Sequence, residues 1–134
     1  MHETATGRLA LARRCLDAFT TYKAIGPGME PTPEQRAALA GWAGWGALAD
    51  AVDVTKRPRL TGGWKEISDV LLETMSPMEV AAAKEATATS YYTPPSVIAA
   101  MWDILTGLGF PGGRVLEPGC GSGRFIAATP PHLR

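Results

Sequence analysis

The chain has 134 residues, and thirteen basic side chains balance thirteen acidic ones. Its length suits one modest domain, and its neutral charge gives no separate indication of a nucleic-acid partner. No apolar run is long enough to span a membrane, and the N-terminus lacks the basic and apolar regions of a signal peptide. The two cysteines and two histidines form neither a disulfide framework nor a metal-ligand spacing. We therefore expect a cytoplasmic protein with no membrane partner and no metal site.

The first ninety residues predict a series of helices. Two capping boxes mark helix starts, one from Thr32 to Gln35 and one from Ser76 to Glu79. Apolar residues recur at helical spacing around Cys15, which we expect to be a small core residue. The first three predicted helices cover roughly residues 7–24, 33–42 and 47–52. A further helix includes residues 67–75, another begins at residue 76, and the last follows residue 93.

Residues 55–59 form a polar loop with a small basic cluster. Such a cluster is able to contact a phosphate, but a solvated loop is the more common structure for this composition. We favour the solvated loop.

The helix after Thr93 has clear boundaries. Thr93 is a good N-cap residue, and Pro94 suits the first helical position because its missing N–H would be unpaired there anyway. Gly109 is expected at the C′ position. Val97, Met101, Leu105 and Leu108 share one face of this helix, with Ile98 and Trp102 beside it.

Residues 114–125 are the most informative segment. A short apolar run leads to Glu117, three glycines follow at alternate positions, and a helix-compatible stretch comes next. This order predicts a buried strand over residues 114–117, a tight turn over residues 119–123, and a helix that begins near Ser122. In open α/β sheets such a turn lies at the carboxyl end of a strand, where ligands bind.

Several glycine-rich loops compete as explanations of this turn. A phosphate-binding P-loop needs a lysine after the last glycine, and none follows Gly123. A dinucleotide fingerprint would need its third glycine one residue later. A glycine-rich loop that binds no ligand is a further alternative. The pattern Glu-x-Gly-x-Gly-x-Gly resembles motif I of class I S-adenosylmethionine-dependent methyltransferases.

The order of the other motifs extends this resemblance. Tyr91-Tyr92-Thr93-Pro94 is similar to motif X of amino-methylating DNA methyltransferases, which precedes motif I. With the Gly-Trp-Gly segment at residues 44–46, the series resembles the N-terminal part of the large methylase–helicase proteins of phages, plasmids and mobile elements. The resemblance covers roughly residues 30–130. Two departures are Arg124, where the family usually has asparagine, and the residues before Tyr92.

The resemblance implies an α/β fold. Residues 1–90 would form a helical N-terminal region, and residues 91–134 would supply the first strand–turn–helix of a Rossmann-like class I methyltransferase domain. The acid that binds the ribose, the Pro-Pro motif that binds the target base, and the helicase signatures are absent from this sequence. We expect them in a downstream region that also contacts DNA, and we assign no catalytic residue here.

The implied activity is methyl transfer from S-adenosylmethionine to N6 of adenine in DNA. The alternatives are a non-catalytic remnant or helical interaction module, or a methyltransferase that acts on RNA or protein. In the family, the Tyr-Thr-Pro segment lines the methionine end of the cofactor, so Tyr92 and Thr93 should lie beside the glycine turn. The implied cofactor-binding residues are Tyr92, Thr93, Glu117, Gly119, Gly121 and Gly123.

Overall fold

A computed structural model describes residues 4–90 and 92–133. The chain divides into two compact units, unit 1 (Met1–Tyr91) and unit 2 (Tyr92–Arg134). Short 3₁₀ turns occur at Trp45–Leu48, Arg57–Arg59 and Pro131–Leu133. The α-helices of the described residues are α1 (Ala5–Ala24), α2 (Pro33–Leu39), α3 (Ala49–Val52), α4 (Gly62–Thr74), α5 (Pro77–Thr89), α6 (Pro95–Gly107) and α7 (Arg124–Ala127).

Both predicted capping boxes are confirmed. The Thr32 hydroxyl accepts the Gln35 N–H at 3.3 Å, and the Gln35 side chain accepts the Thr32 N–H at 2.9 Å. The Ser76 hydroxyl accepts the Glu79 N–H at 3.3 Å, and the Glu79 carboxylate accepts the Ser76 N–H at 2.8 Å. Each box satisfies backbone donors that the first turn of a helix leaves without intrahelical partners, so it fixes where α2 and α5 begin.

Unit 1 has a packed core built from four helices and one 3₁₀ turn. Cys15 is fully buried in it, as expected. The Ser68 hydroxyl donates to the carbonyl of Ala51 at 2.8 Å, which satisfies the one buried polar side chain among the described residues and ties α4 to α3. The core consists of Ala12, Cys15, Phe19, Leu48, Ala51, Val52, Ile67, Leu71, Met75 and Ala83.

In unit 2, α6 buries Ile98 and Trp102. The indole N–H of Trp102 donates to the carbonyl of Phe125 at 3.2 Å, which links α6 to α7. The helix ends in a Schellman motif, because the N–H of Gly109 bonds the carbonyl of Thr106 and the next N–H bonds the carbonyl of Leu105. Gly109 has φ +82°, so its predicted C′ position is confirmed.

The start of α6 differs from the prediction. The N-cap is Pro94 rather than Thr93, and no side chain caps the helix. Pro94 has ψ 144°, so the chain is still extended at this residue and turns into the helix only at Pro95. Thr93, which precedes a proline, is biased towards the same extended backbone. The prediction of Thr93 as N-cap was wrong by one residue.

The expected α/β class is wrong for the described residues. Residues 4–90 and 92–133 contain helices, turns and irregular backbone but no strand. Val115 and Leu116, which we expected in a buried strand, are 60% and 87% exposed. A strand needs a neighbouring strand to pair its backbone groups, and no described segment lies alongside residues 114–117 in this way. The local apolar pattern was therefore insufficient to form the strand.

Candidate cofactor-binding turn

The glycine-rich segment forms the tight turn that the sequence predicts. Gly121 and Gly123 have φ of +51° and +74°, a region that glycine enters without steric cost. The N–H of Gly123 donates to the carbonyl of Cys120 at 2.7 Å and closes the second bend. Gly123 is the N-cap of α7, so the helix expected near Ser122 begins two residues later. The turn therefore requires glycine at two of its three alternate positions.

Tyr92 lies beside this turn, as predicted. A Cβ placed on Gly121 would be 3.9 Å from Cε1 of Tyr92, which is van der Waals contact. The guanidinium carbon of Arg124 lies 5.6 Å from the centroid of the same ring. All three residues belong to unit 2. The structure thus gathers an aromatic ring, a glycine backbone and a cation, although Tyr92 is about thirty positions from the other two residues in the chain.

The other predicted site residues have different local roles. The Glu117 carboxylate accepts the N–H of Gly119 at 3.1 Å, so this acid helps to shape the first bend. Thr93 is half-buried next to Tyr92 in the chain, and its place beside the turn stays a prediction. Around Gly123 a Cβ would meet open space. Of the six candidates, Tyr92 therefore lies near Gly121, Glu117 bonds Gly119, and Gly123 opens α7 at the end of the same turn.

A cavity of about 540 Å³ lies within unit 2. Glu117 and Cys120 line it from the turn, and Trp102 and Phe125 contribute aromatic walls, whereas Tyr92 is not among its lining residues. Sequence reasoning missed this role of Trp102 and Phe125. Their aromatic type was visible, but sequence spacing does not specify which side chains of α6 and α7 meet once the loop at residues 108–113 has reversed the chain.

The basic cluster of residues 55–59 faces acids in unit 1. Lys56 pairs with Asp50 at 2.6 Å, and Arg57 pairs with Asp69 at 2.8 Å. Lys65 also pairs with Asp69. The pKa of the Asp69 carboxyl is lowered mainly by its hydrogen bond with Lys65 and secondly by that with Arg57. Because two of the cluster's cations are partly neutralised, the geometry favours the solvated loop over a phosphate contact.

Two classes of site find no support in the described ranges. Residues 4–90 and 92–133 contain no group of three or more histidine, cysteine or acidic side chains that could hold a metal ion. Within the same ranges, no helix combines the length and the apolar character needed to cross a bilayer.

Comparisons with protein families, curated proteins and solved structures find no match to this chain.

Proposed function

We propose that the chain binds S-adenosylmethionine through the turn at residues 118–123 and Tyr92, as the N-terminal part of a DNA adenine methyltransferase related to the methylase–helicases. The observation that carries the proposal is that Cε1 of Tyr92 lies 3.9 Å from the position a Cβ on Gly121 would occupy, which would be a van der Waals contact. The motif X-like and motif I-like segments are about thirty residues apart, and the function requires them to meet at one ligand. The proposal rests on this contact and on the motif order.

The residues at the turn suit such a ligand. Gly121 leaves its backbone open on the side of Tyr92, where a side chain would reduce the space between the turn and the ring. Tyr92 offers a half-buried aromatic ring for stacking. Glu117 holds the first bend through the N–H of Gly119. When bound, the cofactor would supply the methyl group, while these residues orient it.

The proposal assigns cofactor binding, and no base-binding role, to the described residues. A base-binding motif of this family pairs Pro-Pro with a polar residue before it and an aromatic residue after it. Pro94-Pro95 starts α6, and Pro130-Pro131 leads into the last 3₁₀ turn, so both pairs serve helix initiation. We therefore expect no methylation of DNA by this chain alone.

Binding of tritiated S-adenosylmethionine in equilibrium dialysis tests the proposal. The expected result is saturable binding that Gly121→Val weakens at least about tenfold, because φ of +51° is strained for a branched side chain. Gly107→Val is the matched control, since Gly107 has ordinary φ and open space around its Cβ position. Absence of saturable binding to the unaltered chain would contradict the proposal, as would equal losses in both variants.

A helical interaction module is the second candidate. It is favoured by residues 4–90, which form a helical unit with its own core. The dialysis experiment separates the candidates, because an interaction module needs no S-adenosylmethionine site, and a methyl-transfer assay with adenine-containing DNA, RNA and protein acceptors tests for unassigned catalysis. Turnover above background by this chain, abolished by Gly121→Val, would show that the chain carries catalytic groups that we have not assigned.

A further inference from the structure

The cavity of unit 2 has mostly apolar walls. Trp102, Phe110 and Phe125 line it with aromatic rings, and Met101 and Leu105 add aliphatic surface from α6. Its volume of about 540 Å³ lies within the range of roughly 300–1,000 Å³ that is usual for small-molecule sites. These walls favour a ligand with a flat apolar ring, because packing such a ring against them removes apolar surface from water.

A single carboxylate lines this cavity. Glu117 is the only acidic or basic side chain among the described lining residues, and it is half-buried. Its Oε1 accepts the N–H of Gly119 at 3.1 Å, and no described residue bonds its other oxygen, Oε2. A half-buried carboxylate attracts a cation more strongly than a carboxylate in bulk water does. The cavity therefore favours a positively charged ligand.

The other polar side chains around the cavity already use their donors. The indole N–H of Trp102 and the hydroxyl of Thr129 both donate to the carbonyl of Phe125, at 3.2 Å and 3.4 Å. The thiol of Cys120 donates weakly to the carbonyl of Gly121 at 3.9 Å. A ligand that supplies its own donor together with a positive charge fits these side chains, whereas a carboxylate or a phosphate would meet Glu117 with like charge.

We infer that the cavity of unit 2 binds a small arylalkylamine, with the ring against Trp102 and Phe125 and the ammonium on Glu117. One carboxylate oxygen of Glu117 holds the glycine turn, and the other is left for the ammonium. The residues that carry the cofactor proposal, Tyr92 and Gly121, do not line this cavity. The inference therefore goes beyond the proposed function and does not depend on it.

Titration of the full chain with 2-phenylethylamine and with 2-phenylethanol tests the inference. The two probes share a ring and a linker, and only the amine carries a charge. The indole N–H resonance of Trp102 in nuclear magnetic resonance spectra reports binding at the cavity, and Trp102→Phe identifies that resonance. We expect the amine to bind at least about tenfold more tightly than the alcohol, because it adds a charge-assisted hydrogen bond to Glu117.

Two variants separate the charge from the walls. Glu117→Gln keeps an oxygen for the N–H of Gly119 but removes the charge, so the ratio of the two affinities should fall to about one. Asp103→Asn is the matched control, because Asp103 is exposed on α6, loses the same charge and does not line the cavity. Phe125→Leu removes an aromatic wall and keeps the carbonyl that Trp102 bonds, so it should weaken the binding of both probes.

Several results would overturn the inference. One is the absence of saturable amine binding to the unaltered chain, and another is equal affinity for the two probes. An equal fall of the ratio in Asp103→Asn and Glu117→Gln would show that net charge sets the preference. Unchanged binding in Phe125→Leu would place the amine outside the cavity. A dimer in sedimentation velocity that Leu105→Ser dissociates would assign this apolar surface to a second copy of the chain instead.

Discussion

Leu71 in unit 1 and Leu116 in unit 2 are the same side chain in opposite surroundings. Leu71 is fully buried on α4, whereas Leu116 is 87% exposed before the glycine turn. The contrast extends to whole helices. The α6 helix is more apolar than α4, and each buries two apolar side chains, but α6 leaves four large apolar side chains exposed where α4 leaves one: Val97, Met101, Ile104 and Leu105 on α6, and Val70 on α4. Apolar composition alone therefore does not decide burial, because a helix face also needs elements that pack against it.

The surroundings of α4 and α6 explain the difference. Unit 1 packs α4 against α1 and α3, and its capping boxes fix where neighbouring helices begin. In unit 2, α6 packs against α7, which has a single turn. A one-turn helix is too short to cover the apolar face of α6. The predictions below test this contrast, from the largest expected effect to the smallest.

Amide hydrogen exchange should separate the two regions most widely. Amides of α4 near Leu71 are bonded within the helix, whereas those of residues 113–117 make no backbone bond to another described residue. We expect exchange at least about a thousandfold slower in α4, since a stability of about 5 kcal/mol suppresses opening by that order. Mass-spectrometric exchange at peptide resolution measures it. Comparable slow exchange in residues 113–117 would show that this segment is covered in solution.

Paired truncations test burial directly. Leu71→Ala should lower the free energy of unfolding by about 2–5 kcal/mol, because it leaves a cavity in the core. Leu116→Ala should change it by no more than about 0.5 kcal/mol, as expected for an exposed site. Urea denaturation followed by circular dichroism measures both. Equal losses in the two variants would contradict the assigned burial.

Helix capping should have a smaller effect. Ser76→Ala removes the hydroxyl that accepts the Glu79 N–H, and should cost about 1 kcal/mol. Thr61→Ala is the matched control, because Thr61 precedes α4 as its N-cap but makes no side-chain capping bond. The same denaturation experiment compares them. A loss in Thr61→Ala as large as that in Ser76→Ala would argue against the capping box as the cause.

The pH dependence of unit 1 should report on Glu79. The pKa of Glu79 is lowered from 4.5 to about 2, mainly because its carboxylate accepts a hydrogen bond from Lys23 and secondly because it accepts hydrogen bonds from Ser76. The folded state therefore favours the ionised acid, and this contribution is present above pH 4.5 and is lost as the pH falls towards 2.

Thermal unfolding across this pH range gives the measurement. The unaltered chain should lose stability more steeply than Glu79→Gln, which has no such carboxylate to protonate. Glu85→Gln is the control, since Glu85 lies on the same helix and makes no side-chain ion pair with a described residue. Parallel pH profiles in the unaltered chain and Glu79→Gln would show that Glu79 is not the source of the stability lost at low pH.

Local signals in the sequence predicted local structure well. The capping boxes at Thr32 and Ser76 and the C′ glycine at Gly109 depend on residues a few positions apart, and each was confirmed. The buried strand at Val115 and Leu116 failed because a strand depends on partners from elsewhere in the chain. The motif order predicted that Tyr92 and Thr93 lie beside the turn; Tyr92 does lie near Gly121, and the place of Thr93 stays a prediction.

The interaction of Arg124 with that ring was not predictable. The sequence showed only that Arg124 departs from the usual residue, and a side chain's direction depends on how α7 packs. Likewise, the cavity walls formed by Trp102 and Phe125 depend on a contact between segments that are separated by about twenty residues. Residue type indicated these side chains, but only the three-dimensional arrangement gave them a role.

The two thiols offer a way to place a reporter on the glycine turn without any mutation. Cys15 has no exposed surface, and its sulfur accepts the N–H of Ala43 at 3.2 Å. Cys120 is exposed within the turn. A maleimide dye should therefore label only Cys120 while the chain is folded, because alkylation requires access to the sulfur. The emission of the dye would then report ligand binding at the turn. The rate at which Cys15 becomes labelled would report how fast unit 1 opens.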